Sequence, residues 1–125
     1  MGRHEDALSV GQEAVSLYRT LNVDGQERKQ HLANALHSYG ITLSSVGRHE
    51  DALSVGQEAV SLYRTLIADG QEQKKDLADA LHNYGNTLSN MGRHEDALSV
   101  RQEAISLYRT LNVDPVNHRH SSNAR

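Results

Sequence analysis

Apolar residues fall at Leu32, Leu36, Tyr39, Leu43 and Val46, at spacings of three and four that lay one stripe along a helix. A second set, Ala52, Val55, Gly56, Ala59, Leu62, Tyr63 and Leu66, follows the same period, and its width implies burial on two sides. Between the sets stands Gly47, suited to the left-handed residue that ends a helix. Glu50 and Asp51 then occupy the first turn of the next helix, where the helix dipole favours negative charge. The pattern predicts a helix over 25–46 and another over 48–66.

The second stripe is part of a longer identity. GRHEDALSVGQEAVSLYRTL runs from Gly2 to Leu21, recurs unchanged 45 residues on at Gly47 to Leu66, and returns at Gly92 to Leu111 with only Arg101 and Ile105 altered. A fixed period in the range of about 20–50 residues marks a tandem array whose units bury their faces against their neighbours. Helices are therefore expected over 3–21, 25–46, 48–66, 70–91 and 93–111, and the short linkers NVDG and IADG favour antiparallel neighbours. The repeat domain is read as 1–113, with a half repeat at 2–23 and full repeats at 24–68 and 69–113, followed by a polar tail at 114–125 expected to be disordered. Because Met1 opens onto the middle of a repeat, a segment of a longer array is expected.

The starts of the first helices carry their own marks. Asp24 and Asp69 are followed three residues later by Glu27 and Glu72, close to a capping box. Asp114 precedes Pro115, the order of an N-cap and a first helical proline. Propagation past that point is not expected, because Ser122 stands where the earlier copies have Leu32 and Leu77.

Read as LANALHSYGITLSSVGRHEDALSVGQEAVSLY and LADALHNYGNTLSNMGRHEDALSVRQEAISLY, the two full units resemble tetratricopeptide repeats. Gly40 and Gly85 match the small residue of the motif's first helix, and Gly47 and Gly92 its turn. Ala52, Ala59, Ala97 and Ala104 match the two small sites of its second helix, while Leu36 and Leu81 take the place of the usual tryptophan or leucine. The period is longer than the usual value of about 34 residues, which is similar to the long repeats of kinesin light chains and of fungal and bacterial sensor proteins with nucleotide-switch domains. The resemblance implies an all-α fold, an α-solenoid of antiparallel helix pairs wound into a right-handed superhelix. Two departures stand out. Gly11, Gly56 and Arg101 replace the aromatic often found in the middle of the second helix, and Tyr39 and Tyr84 replace a leucine in the first. A volume exchange is expected, the Tyr39 ring filling room left by Gly56, with Arg101 marking the end of the array.

Composition narrows the function classes. With 37% apolar residues and no run long enough to span a bilayer, the 125-residue chain reads as a soluble helical protein that offers nothing to a membrane. Its five tyrosines are the only aromatics, so the core must come mainly from Leu, Ala and Val. A formal charge of −3 with interleaved signs gives no basic face for nucleic acid. The absence of cysteine and of a signal region fits a reducing, cytoplasmic setting, and Asp6 at the sixth residue speaks against myristoylation. Each His-Glu pair (His4, His49, His94) is followed four residues on by Leu8, Leu53 or Leu98, so no zinc-protease motif exists, and the histidines are read as packing at the helix starts. His118 and His120 lack a third ligand for a metal. No glycine-rich phosphate loop and no partnered nucleophile is present, so no cofactor and no catalysis are implied.

What distinguishes the copies is the first helix. It differs at Asn34/Asp79, Ser38/Asn83, Ile41/Asn86 and Ser45/Asn90, while the second helices are almost identical. The resemblance places first helices along a concave groove, so it directs Asn34, His37, Ser38, Ile41, Asp79, His82, Asn83, Asn86 and Asn90 toward a peptide or helix of a protein partner. Asn83 and Asn86 sit where family members place asparagines that hold a peptide backbone, whereas the family's basic carboxylate clamp is absent. The reading is a non-enzymatic interaction module, and its rival is a self-assembling array. Apolar Leu8, Val15 and Tyr18 at one end and Leu98, Ile105 and Tyr108 at the other are expected to lack cover and to drive a homodimer or a repeat-swapped oligomer.

Overall fold

The computed structural model describes residues 2–20, 25–68 and 74–112. Five helices fill them: α1 (Gly2–Thr20), α2 (Gln26–Ser45), α3 (His49–Ala68), α4 (Lys74–Asn90) and α5 (His94–Asn112). Asn34 early in α2 meets Tyr63 late in α3, whereas Gly40 further along α2 faces Ala52 and Gly56 early in α3. The pair is therefore antiparallel, and α4 with α5 repeats it.

The turn within each pair is set by one glycine. Gly47 and Gly92 have φ of +86° and +80°, a region that L side chains adopt at a cost. The Gly47 amide donates to Ser44 O at 3.0 Å and the Arg48 amide to Leu43 O at 2.8 Å. These two bonds define a Schellman ending and satisfy carbonyls that the helix leaves over, and Gly92 with Arg93 reproduces it on Ser89 and Leu88. The start of α2 differs from expectation. Its N-cap is Gly25 in extended backbone with no side-chain cap bond. Asp24, Asp69, Glu72, Asp114, Pro115, Ser122 and the pair His118 and His120 lie outside the described residues.

The core runs between the layers of first and second helices. Leu36, Leu43, Ala59, Tyr63, Leu66 and Leu81 are fully or almost fully buried, with Val15, Leu77, Ala80 and Ala104 around them. Val15 thus has cover from within the chain, against the expectation for it, and Tyr18 stacks on His31 of α2 with ring centroids 5.8 Å apart. The large apolar residues left exposed on α1 are Val10 and Leu17, and those on α5 are Leu98 and Ile105. Tyr108 is half-buried and donates its hydroxyl to Asp79. His49 is half-buried, but His94 is exposed, so packing at the helix start holds for only one of these two histidines.

The expected exchange between Tyr39 and Gly56 exists, but one repeat out of register. A Cβ on Gly11 would lie 2.7 Å from Tyr39 Cδ1, and one on Gly56 would lie 3.3 Å from Tyr84 Cδ1. Each tyrosine seats on the glycine of the preceding second helix, because its ring points out of its own pair toward the neighbour. Outer ion pairs follow the same period. Arg19 forks onto both Glu58 oxygens at 2.8 and 2.9 Å, and Arg64 onto those of Glu103 at 2.7 and 3.0 Å.

Glycines within the pairs give a direct test of this register. A Cβ on Gly40 would meet nothing closer than 3.7 Å, whereas one on Gly85 would stand 2.9 Å from Arg101 Cγ and 3.5 Å from the Ala97 carbonyl oxygen. Gly40→Ala should raise stability by up to about 1 kcal/mol through helix propensity. Gly85→Leu should lower it by about 1–3 kcal/mol through overpacking, despite a comparable gain in propensity. Thermal melts followed by circular dichroism measure both signs.

Candidate functional site

The nine residues singled out on the first helices do not gather in one place. Three do. His37 and Ile41 from α2 and Asn83 from α4 line a cavity of about 190 Å³. α2 also contributes Gly40, Ser44 and Ser45, α3 contributes Ala52 and Gly56, and α4 contributes Ala80, Tyr84 and Thr87. The cavity exists because Gly40, Ala52, Gly56 and Ala80 are all small where three helices converge. Asn83 Nδ2 donates to the Asp79 carbonyl at 3.1 Å and lies 3.5 Å from His37 Nε2.

Asn34 and Asp79 do structural work instead. Tyr63 donates its hydroxyl to Asn34 Oδ1 at 2.5 Å, and Tyr108, its counterpart one repeat on, donates to Asp79. Each bond latches the far end of a second helix to its own first helix. Asn86 is also engaged, since its Oδ1 accepts from Arg101 Nη2 at 2.6 Å. Ser38 lies in a separate hollow of about 420 Å³ between α1 and α2, with Val10, Gly11, Tyr39 and Thr42. His82 and Asn90 are exposed and line no described hollow.

Ionisable groups near the cavity are shifted. Burial lowers the His37 pKa below the ordinary imidazole value, against the pull of Asp79 and Asp76. Burial alone would raise the Asp79 carboxyl, but the Tyr108 hydroxyl and the Lys75 ammonium, 2.9 Å away, hold it below the usual aspartate value. Burial pushes Tyr63 far above the ordinary phenol range, with Asp76 and Asp79 adding to it. Tyr108 is pushed up to about 12 by burial and by its bond to Asp79. Among the described residues no cluster of three His, Asp or Glu side chains could hold a metal ion, and no helix is long and apolar enough to cross a membrane.

Sequence reasoning missed Gly56, Ala80, Tyr84 and Thr87 as parts of the site. The available signal was a paired change. Ile41 with Gly56 in one repeat becomes Asn86 with Arg101 in the next, and those are the residues that meet across the helix pair.

Antiparallel helix pairs repeating at a fixed period, with small residues at the contacts, define an all-α helical repeat protein. Residues 32–69 and 77–120 match the tetratricopeptide repeat family, and the chain belongs to that family. Comparison with curated proteins and with solved structures returns no match. Tetratricopeptide repeats are in general protein–protein interaction modules and non-enzymatic scaffolds.

The His37 shift predicts a pH dependence. A lowered pKa at this half-buried imidazole means that the unfolded chain takes up the proton more readily, so its contribution to stability is full above the ordinary imidazole pKa of about 6.5 and falls as pH drops below it. His37→Gln should flatten the slope of unfolding free energy between about pH 7 and 5. Urea titrations at several pH values give that slope, and the slopes of His82→Gln serve as the exposed-site control.

Proposed function

We propose that the chain binds a peptide or helix of a partner protein along the face built by α2 and α4. The observation that carries this reading is the cavity between α2, α3 and α4. It brings His37, Ile41 and Asn83 together, and the copies differ at several positions that line it, among them Ile41, Gly56 and Asn83. Ile41 leaves 44% of its surface exposed beside the cavity, an apolar contact that nothing among the described residues covers. Asn83 can both donate and accept, which suits the amides of a bound backbone.

Selection from a phage-displayed peptide library, followed by Ile41→Ala with Asn83→Ala, tests the proposal. Asn86 is left in place because it anchors Arg101. The double variant should lose tenfold or more in affinity for the selected peptides, about 1.4 kcal/mol. Its unfolding free energy should move by only about 0.5 kcal/mol per site. Undiminished peptide binding by the variant refutes the assignment of this face.

A second reading, self-association, is favoured by Leu98 and Ile105. They are 59% and 49% exposed and stand seven residues apart on one face of α5, an arrangement that suits a helix–helix seam. Sedimentation equilibrium should show mass rising with concentration, and Leu98→Ser with Ile105→Ser should return the chain to a monomer. A wild-type monomer at every concentration removes this reading.

A further inference from the structure

The α2–α3 half of the cavity has a counterpart one repeat on, between α4 and α5, and there it is filled. Gly85, Asn86 and Ala97 stand 45 residues after Gly40, Ile41 and Ala52, and Arg101 stands 45 after Gly56. The Arg101 stem lies over Gly85, with Cγ 2.9 Å and Nε 3.4 Å from where a Cβ on that glycine would be. Its guanidinium donates to Asn86 Oδ1 at 2.6 Å. The chain's own third repeat therefore shows what the notch of a helix pair accommodates, a long aliphatic stem with a planar cationic end. In the second repeat Gly56 leaves the notch open.

Resting on the reading of this face as a partner-binding surface, we propose that the open notch over Gly40 and Gly56 receives a single arginine side chain from the bound segment. Size supports one side chain, since about 190 Å³ falls below the range of about 300–1,000 Å³ typical of small-molecule sites. Chemistry supports arginine. No lysine or arginine lines the cavity, and Ser44 and Ser45 belong to the last turn of α2, where the helix dipole attracts a cation. Their hydroxyls and the Asn83 amide oxygen are acceptors within reach of a group that carries five donors. Ile41, in place of Asn86, offers apolar surface to the stem, and the Tyr84 ring suits a flat guanidinium. Asp76 and Asp79 on α4 attract positive charge at the His37 rim, although burial outweighs them at His37 itself. Because the third repeat fills its own notch, one anchor position sets the register of the bound segment.

The test uses the whole chain, isotope-labelled for NMR, titrated with Nα-acetyl-arginine-N-methylamide and with the matching lysine and leucine compounds. The arginine compound should shift the amides of Gly40, Ile41, Gly56, Asn83 and Thr87 along a saturating curve, the lysine compound should do so more weakly, and the leucine compound should leave them in place. Gly56→Arg with Ile41→Asn gives the second repeat the filling of the third, and should abolish the arginine shifts with helical content retained. The wild-type titration decides the matter even if crowding against Tyr84 unfolds that variant. Equal or stronger shifts with the leucine compound, or no localised shift with any compound, overturn the proposal. Its failure is separable from that of the surface itself. Library peptides that bind through Ile41 and Asn83 without a fixed arginine would leave the surface standing and remove the arginine pocket.

Discussion

The arrangement of the repeats hangs on a tyrosine ring seated against a helix that has no side chain at the point of contact. Tyr39 rests on Gly11 and Tyr84 on Gly56, and at Gly11 even a methyl group would stand 2.7 Å from the ring. Glycine within a helix costs about 1 kcal/mol relative to alanine, so its use at the same place in successive helices reflects a steric demand. The ring fixes how far and at what rotation one pair sits on the next. The Arg19–Glu58 and Arg64–Glu103 forks repeat with the same period but are largely exposed. Such pairs contribute about 0.2–1 kcal/mol each, enough to favour the geometry that the rings and the Leu and Ala core establish.

Divergence between the first helices is largely compensated inside the chain. Gln30 donates to Asn34 at 3.2 Å in one repeat, and the same two positions in the next carry Lys75 and Asp79, 2.9 Å apart. A neutral pair four residues apart has become a charged one, and in both cases the residue at 34 or 79 still accepts a tyrosine hydroxyl. Ile41 with Gly56 becomes Asn86 with Arg101 in the same coupled way. Differences of this kind serve internal bonding. Around the open space itself stand His37, which is the same in both copies, and Ile41 and Asn83, which are not.

Much of this was legible in the sequence, and the limits have physical causes. Helix number, pairing and the Gly47 and Gly92 turns followed from a period of 3.6 and from the conformational freedom of glycine. The seat of Tyr39 did not. A periodic stripe says that a residue is buried, but a side chain flanked by helices on both sides can turn to either, and in an array of identical units the two choices look alike. For the same reason Val15 was expected to lack cover that its own chain supplies. The site was only partly readable, because a cavity is made by residues that are small as much as by residues that are functional. Ala80 and Gly56 carry no chemistry that a motif could reveal.

The open notch lies beside the seat of the Tyr84 ring. Interiors are close-packed, and voids larger than a water molecule are few. In the third repeat, arginine in place of glycine and asparagine in place of isoleucine put a side chain over Gly85. In the second repeat Gly56 also seats the Tyr84 ring, 3.3 Å from where a Cβ would stand, so a side chain there would compete with that ring. The small residues of this repeat hold the Tyr84 ring on one side and leave room on the other, with serine hydroxyls, an asparagine amide and a neutral imidazole around the opening. A stacking interface alone would favour dry, apolar closure there, and the polar rim is the feature that the proposed binding role would account for.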